Sequence, residues 1–443
     1  MMEALAKGQN HAAIALEDPE IVGGRQTDIG TIPDGWEVLT LSQLLDFQNG
    51  FNAEKSSYGS GIPFANVLEV ITKSHLTELD IPGRVGVNAN QLQTFLVRPG
   101  DILFNRTSET QDELALASVY VGSSQIIFGG FVIRGRIKSN RLSADFAGYF
   151  LRAPAIRKQI ISRGQGAVRA NIGQSELGSV VVPLPPAREQ LAIAKALSEC
   201  NLLIAELQKL IVKKRQIKHG MMQELLSGHR RLPGFEGEWG SQSFGEIFDF
   251  FPTATNSRAD LNTSGDTYYI HYGDIHTKFH NHLNFLDKQP PKIARHKCRN
   301  AAYVRNGDWI MADASEDFDG VCKSIEVTGL AISNKVVSGL HTFLLREKVP
   351  TFVPGFKGYI GNLKSLRDQY SRVMTGMKVF GVSKAALRDL LLPIPKQKEQ
   401  EAIVQVLNDM DADIAALEKK LEKSRRIKQG MMQELLTGRV RLV

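Results

Sequence analysis

Cysteine is scarce and unpaired: Cys200, Cys298 and Cys322 are odd in number and share no Cys-x-x-Cys spacing. That excludes a disulfide framework and points to a reducing, cytoplasmic setting. Long apolar runs are missing too. The beginning of the chain offers nothing longer than the few residues around Ala12 to Leu16, so neither a signal peptide nor a membrane span is expected. Catalytic signatures are also absent. Leu184-Pro185-Pro186-Ala187 and Gln289-Pro290-Pro291-Lys292 lack the acid or amide and the aromatic of a base-flipping methyltransferase element. No glycine-rich cofactor turn and no phosphate loop occur. Glu418-Lys419-Lys420 has the form of a nuclease's terminal Glu-x-Lys but no upstream aspartate to match. No residue is therefore assigned a catalytic role.

What is present is ordinary in bulk: 443 residues, 42% hydrophobic and 23% charged, suit two or three domains with real cores. The excess of Lys and Arg over Asp and Glu, 54 against 47, suits a polyanionic partner, although a mildly basic soluble protein explains the charge equally well. The informative feature is a repeat. Residues 183–233 and 393–443 superpose at a constant shift of 210 positions, with about half of the positions identical, and a duplicated element of this length implies a duplicated architecture.

Within each copy the apolar residues step by three and four. Leu197, Cys200, Ile204, Leu207 and Ile211 are answered by Leu407, Met410, Ile414, Leu417 and Leu421, which is a coiled-coil seam. Lys214 and Ser424 take the next seam position, after which Ile217, Met221 and Leu225, and Ile427, Met431 and Leu435, resume in a shifted register, the pattern of a register lock. Pro183, Pro185 and Pro186, like Pro393 and Pro395, impose an extended lead-in. Gly228 and Gly438 supply C-terminal caps, so each helix should run roughly 40 residues, about 60 Å. Because neither copy can bury its seam alone, an antiparallel pair within one chain is expected. Gly220 and Gly430, costly inside helices, imply a close backbone approach, to the partner helix or to another subunit.

The remaining sequence is two globular heads. The first opens at Ile32-Pro33-Asp34-Gly35-Trp36 and runs through short apolar stretches such as Val38-Leu39, Ile102 to Phe104, Val119 to Val121 and Gln125 to Phe128, read as strands. A helix is expected between Asp145 and Ile161. The second head restarts the theme: Trp239 follows Gly237 as Trp36 follows Gly35, and Asn306-Gly307-Asp308 matches Pro99-Gly100-Asp101 at a shift of 207. Residues 1–30 are polar and weakly patterned, with Ala4, Leu5 and Ala12 to Leu16 allowing at most a short helix, and no function is assigned to them.

These elements together resemble the DNA-specificity subunit of a type I restriction-modification enzyme. The likeness rests on Pro183-Leu184-Pro185-Pro186-Ala187-Arg188-Glu189-Gln190 opening a long helix, its echo from Pro393 through Glu399-Gln400, the Leu-Leu-Ser/Thr-Gly ends and the Pro-Gly-Asp-Ile-Leu-Phe turn at 99–104. It implies an α+β fold in which two similar mixed α/β target recognition domains are separated by two long helices pairing as an antiparallel coiled coil with pseudo-twofold symmetry. The expected divisions are an N-terminal extension (1–30), a first recognition domain (31–182), a first spacer helix (183–230), a second recognition domain (231–392) and a second spacer helix (393–443). The resemblance further implies double-stranded DNA and two methyltransferase subunits as partners, with restriction and translocase subunits in the full complex and no membrane. S-adenosylmethionine, ATP and Mg would belong to those partners and no cofactor to this chain. A standalone coiled-coil DNA-binding or scaffold protein is the alternative.

Base reading needs paired donors and acceptors on exposed turns, with cations for phosphates. On that ground Asn105, Arg106, Thr107, Gln165, Arg169 and Asn171 are candidates in the first head, and Asp313, Ser315, Glu316, Lys378 and Ser383 in the second. Any one of them alone could equally be a turn cap. Partner docking is expected at Met221, Met222 and Leu225 and at Met431, Met432 and Leu435. Adjacent methionines point to different helix faces, so one of each pair is exposed unless a partner or a head covers it. His271, His276, His280 and His282 fit no common zinc spacing, and are read as surface or DNA-facing residues with no metal assigned.

Overall fold

The computed structural model describes residues 24–166 and 169–442, so the short helix considered near Ala4 to Leu16 lies outside the described residues. The chain forms two compact units, one built from the described residues up to Leu207 together with those from Lys420 onward, the other from Gln208–Lys419. No helix among the described residues is long and apolar enough to cross a membrane.

In the first unit the short apolar runs become a five-stranded sheet of β1 (Leu45–Asn49), β2 (His75–Leu76), β3 (Ile102–Asn105), β4 (Ala117–Tyr120) and β5 (Val132–Ile137), in the order β1-β5-β3-β4-β2. Neighbours are antiparallel except β4 with β2. Ile102, Leu103 and Phe104 of the central strand are all fully buried, which explains a continuous rather than alternating apolar run. The turn before it carries a strut: buried Asp101 accepts from the Arg98 amide at 2.8 Å and from Arg136 Nε and Nη2 at 2.9 and 2.6 Å. The single helix expected between Asp145 and Ile161 is two, Ala144–Phe150 and Pro154–Ser162. Pro154 lacks an amide hydrogen and disfavours a helical residue before it, so it ends one helix and begins the next. Residues 24–33, unassigned from sequence, form a hairpin of Gly24–Thr27 with Gly30–Pro33.

The proline lead-in is extended as expected: Val181–Leu184 pairs with Glu37–Thr40, and helix α1 (Ala187–Leu226) follows, 40 residues long. In the second unit β6 (Phe248–Phe251), β7 (Asn281–Asn284), β8 (Trp309–Ala312), β9 (Ser324–Thr328) and β10 (Thr342–Glu347) repeat the sheet in the order β6-β10-β8-β9-β7. There Asp308 takes Arg346 Nε and Nη2 at 2.8 and 2.6 Å. Helix α2 (Gln397–Leu435) has 39 residues. Gly228 at φ +74° and Gly438 at φ +75° follow the two helices in the left-handed conformation that favours glycine.

The Glu-Gln pair in the first turn of each long helix explains why that motif is duplicated. In the first unit buried Glu189 accepts from Trp36 Nε1 at 3.0 Å and from Arg441 Nε and Nη2 at 2.7 and 2.8 Å. Gln190 accepts from the Ser143 amide at 2.8 Å and donates to the Arg141 and Pro185 carbonyls at 2.7 and 2.8 Å. In the second unit Glu399 accepts from Trp239 Nε1 at 3.0 Å and from Arg231 Nη2 at 2.7 Å, while Gln400 holds Val353, Thr351 and Pro395. A buried carboxylate and a buried amide are tolerated because every face finds a partner, and those partners tie helix to head. Tyrosines add a second tie: Tyr149 Oη bonds Asn201 at 2.9 Å and Tyr359 Oη bonds Asn408 at 2.7 Å.

The helices pair antiparallel. Cys200 meets Met431 in the first unit, and Lys214 meets Asp413, Arg215 meets Glu418 and Lys218 meets Asp411 in the second, so the partners run back from Met431 to Asp411 as the first helix runs on from Cys200 to Lys218. Leu197, Leu207, Ile211, Leu407 and Ile414 are buried along the seam. The expected shift of register does not occur. Ile217 and Ile427 are each 47% exposed, and the seam continues instead through Lys214 to Lys218 and through Ser424 to half-buried Lys428. Lys218 can sit there because its ammonium lies 5.2 Å from the Tyr359 ring centroid and pairs with Asp411, leaving its methylene stem to pack. At Gly220 and Gly430 the partner helix makes no close approach, since a Cβ on either would meet nothing of this chain within 4 Å, which leaves the expected approach to another subunit.

Replacing Arg441 by Met leaves Glu189 with only the Trp36 donor. A loss of about 2 kcal/mol is expected, the usual scale for hydrogen bonds to a charged group, lessened by the partial exposure of the arginine. Urea unfolding measures it, and Arg441→Lys should restore only part because it cannot bond both carboxylate oxygens in the same plane.

Candidate nucleic-acid interface

In each unit the central strand leads into a short strand that a return hairpin covers. Thr107–Ser108 pairs with Ala170–Asn171 in the first unit, and Ala314–Ser315 with Phe380–Gly381 in the second. The hairpins close through backbone bonds of 2.9 and 2.7 Å between Gln165 and Asn171, and of 2.9 and 2.8 Å between Thr375 and Gly381. Gly166 at φ +108° and Gly376 at φ +124° make the turns, and an added Cβ would collide with the carbonyl oxygen of Arg169 or Val379. Only glycine satisfies both conditions. A third segment joins this edge, the turn entering β5 or β10. The Arg106 amide donates to the Phe131 carbonyl at 2.8 Å, and the Asp313 amide donates to the His341 carbonyl at 3.1 Å.

The first unit thus gathers most of its expected contacts. Gln165, Arg169 and Asn171 are exposed and Arg106 and Thr107 half-buried. Thr107 Oγ1 donates to Asn171 Oδ1 at 2.6 Å, and Arg169 pairs loosely with Glu109 at 3.0 Å in solvent. The Arg106 guanidinium makes no hydrogen bond or ion pair among the described residues, which leaves its donor fork free. Asn105 is a correction: fully buried, it donates to the Glu113 carbonyl at 3.0 Å and accepts from the Thr107 amide at 3.3 Å. It shapes the loop and cannot reach a base.

In the second unit Glu316 and Lys378 are exposed and Asp313 is half-buried. Burial pushes the Asp313 carboxyl above its ordinary range, opposed by His341, whose Nδ1 lies 3.3 Å from Asp313 Oδ1. One expectation fails here and another is qualified. Ser315 is buried with its hydroxyl accepting from the Asp317 amide at 3.3 Å. Ser383 caps the helix Lys384–Arg388 by accepting from the Ala386 amide at 3.1 Å, yet it is exposed and its hydroxyl hydrogen is not used by the cap. Both are turn chemistry of the kind short hydroxyl residues provide.

Sequence reading passed over Phe131, which is 62% exposed, Met377, 95% exposed, and His341. The shift of 210 that aligns the helices also places Phe131 over His341, a signal available but unused. The docking residues need correction as well. Leu225, Met222 and Leu435 are buried in the cores of their own units, and Met221, Met431 and Met432 pack half-buried against those cores. The heads cover them, so the buried three are closed to any partner.

The histidines have separate tasks. His271 caps the helix Tyr272–Thr277 by accepting from the Gly273 amide at 3.0 Å. His282 bonds the Gly355 carbonyl at 2.8 Å and packs on Tyr359, repeating what His75 does with the Asp145 carbonyl at 3.0 Å and Tyr149. Among the described residues no group of three or more His, Cys, Asp or Glu is placed to hold a metal ion.

Two sheet-bearing units and a pair of long antiparallel helices form a fold that the chain shares with a solved specificity subunit, and the sequence comparisons point the same way. Residues 33–215 match the family model for the type I restriction modification DNA specificity domain. The chain is 25% identical to the putative type I restriction enzyme MjaX specificity subunit of Methanocaldococcus jannaschii, over 94% of this chain and 96% of that one. It is 20% identical to the EcoKI specificity subunit of Escherichia coli, over 92% and 89% of the two chains. Among solved structures it shares its fold with the HsdS subunit from Thermoanaerobacter tengcongensis, at a TM-score of 0.54 and 16% identity over 92% of this chain and 98% of that one. A structure of type I R-M complex assembly and conformational transition aligns at a TM-score of 0.58 and 15% identity, over 92% and 99%. The likeness drawn from the duplicated helices holds.

The half-buried His75 carries a pH signature. Burial holds the His75 pKa below its usual 6.5, with the Asp145 carbonyl opposing. The unfolded chain therefore takes up this proton first as pH falls, so the contribution is intact above about pH 6.5 and is lost as pH falls through the lower folded value. Calorimetry from pH 7.5 to 5 should show the melting temperature of wild type falling more steeply than that of His75→Gln.

Proposed function

We propose that this chain is the noncatalytic DNA-reading subunit of a type I restriction-modification complex, each unit reading half of a bipartite target. The observation that carries this is the pairing of a repeated frame with unlike loop chemistry. At equivalent positions Arg106, Gln165, Arg169 and Asn171 of the first unit are answered by Asp313, Thr375, Val379 and Gly381 of the second, with Lys378 exposed beside them, while Glu316 matches Glu109. Arginine matches the O6 and N7 acceptors of guanine, amides match adenine, and carboxylates accept from the cytosine amino group. A frame kept constant while its exposed polar residues change is what two different readings require. The whole-length resemblance to specificity subunits supports the same conclusion. Methyl transfer to adenine N6, with S-adenosylmethionine, and ATP- and Mg-dependent restriction then belong to partner subunits.

In this reading the two helices act as a spacer and as the dock for two methyltransferase subunits. The docking face is the exposed side rather than the methionine side, because Ile217 and Ile427 are exposed to the same extent at equivalent positions beside the open Gly220 and Gly430.

Mapping methylated adenines in the host genome, with and without this chain, tests the assignment. A bipartite motif that disappears with the chain supports it, whereas methylation unchanged by its loss refutes it. Arg106→Ala should cost about 1–3 kcal/mol at one base pair of one half-site and leave the other half-site intact, read by competition binding of the assembled complex. Inserting four residues at matched sites in α1 and α2 should lengthen the unread gap between half-sites, and an unchanged gap would remove the spacer role.

A further inference from the structure

The turns entering β5 and β10 contain a pair of residues that neither the repeat nor the polar-loop criterion singles out. In the first unit Gly129 and Gly130 are pressed so closely on Asn66 and Asn52 that a Cβ on either would collide with those side chains. The next residue, Phe131, is thereby held at the tip with its ring in solvent, 62% exposed. Exposing a phenylalanine costs apolar burial, and the backbone here is fixed at both ends, by Val132 pairing with Asn105 and by the Arg106 amide on the Phe131 carbonyl. The exposed ring is therefore a built feature of the edge that carries Arg106.

The second unit uses the same position differently. His341 stands at φ +55°, a left-handed conformation rare outside glycine. Its ring contacts Asp313 on one side and Tyr272 on the other, the latter edge-on at 5.5 Å between centroids. The neighbour whose amide it accepts has changed with it, from Arg106 to Asp313. One backbone hydrogen bond thus couples two positions that vary together between the units: arginine with an apolar ring, aspartate with an imidazole.

We propose that Phe131 and His341 are specificity-determining residues, Phe131 taking the 5-methyl group of a thymine next to the base pair read by Arg106, and His341 orienting Asp313 for a cytosine amino group. This rests on the DNA-reading function proposed above and adds residues to it. The chemistry follows from the groups themselves. A phenylalanine ring has no donor or acceptor to offer a base edge, and the thymine methyl is the apolar feature of the major groove. A carboxylate fixed by an imidazole on one oxygen keeps the other for an amino donor.

The test uses the full chain assembled with its methyltransferase partners and the target half-sites found by methylation mapping. Each thymine of the first half-site is replaced by deoxyuridine, which removes only the methyl group. Wild type should bind one such probe roughly fourfold more weakly, the scale of one buried methyl, and Phe131→Ala should bind thymine and deoxyuridine probes alike. His341→Gly, chosen because glycine accepts the left-handed backbone, should relax a cytosine position in the second half-site and leave the first unchanged. Both variants should melt as wild type does, which separates reading from folding. Deoxyuridine probes bound equally by wild type, or both half-sites unaltered in the variants, overturn this inference while the DNA-reading function stands. A wild-type complex with no sequence preference overturns both.

Discussion

The joint between long helix and head in each unit depends on a carboxylate buried away from water. Glu189 and Glu399 sit in the first turn of the long helices, where the helix dipole favours negative charge, and each is enclosed by a tryptophan indole and an arginine. Such a group is stable only if fully paired, so the head's opening tryptophan and the segment that follows the helices are obliged to come together there. In the second unit Arg231 and Trp239 lie eight residues apart on one connecting segment. In the first, Trp36 stands near the beginning and Arg441 near the end of the chain, and the bond from Arg441 to Glu189 spans 252 positions. The same joint is made once within a segment and once between distant parts of the sequence.

That joint, with the Asp101–Arg136 and Asp308–Arg346 struts and the tyrosine ties, forms a frame whose polar groups satisfy one another internally. Loops attached to such a frame can change without cost to it. The coupled positions on the corresponding edges accordingly differ, Arg106 with Phe131 in one unit and Asp313 with His341 in the other. The lysines of the seam show the same economy. Lys218 finds an aspartate and a tyrosine face and is kept, while the isoleucine before it is left outside.

The repeat, the length and ends of the helices, the extended proline lead-in and the seam as far as Ile211 and Leu421 are all legible in the sequence. Each depends on local rules: periodicity, the fixed φ of proline and the left-handed freedom of glycine. Those rules act over a few residues and need no distant partner. Register past Lys214 and Ser424 is not legible, because it depends on whether a lysine finds a distant aspartate and aromatic ring. The candidate site shows the same division. Arg106, Arg169, Gln165 and Asn171 were selected by residue type and are on the edge, whereas Asn105 and Ser315 have the same type and are buried and spent on backbone amides.

The sequence by itself determined that there are two heads on two matched helices, since duplication and period are written along the chain. Only the tertiary structure decided which polar side chains remain free, which methionines are already covered and which tip residue stands beside each reading position. A hydrogen-bonding group is available to a ligand only after the fold has taken its share. That share is set by residues tens to hundreds of positions away, which no local pattern encodes.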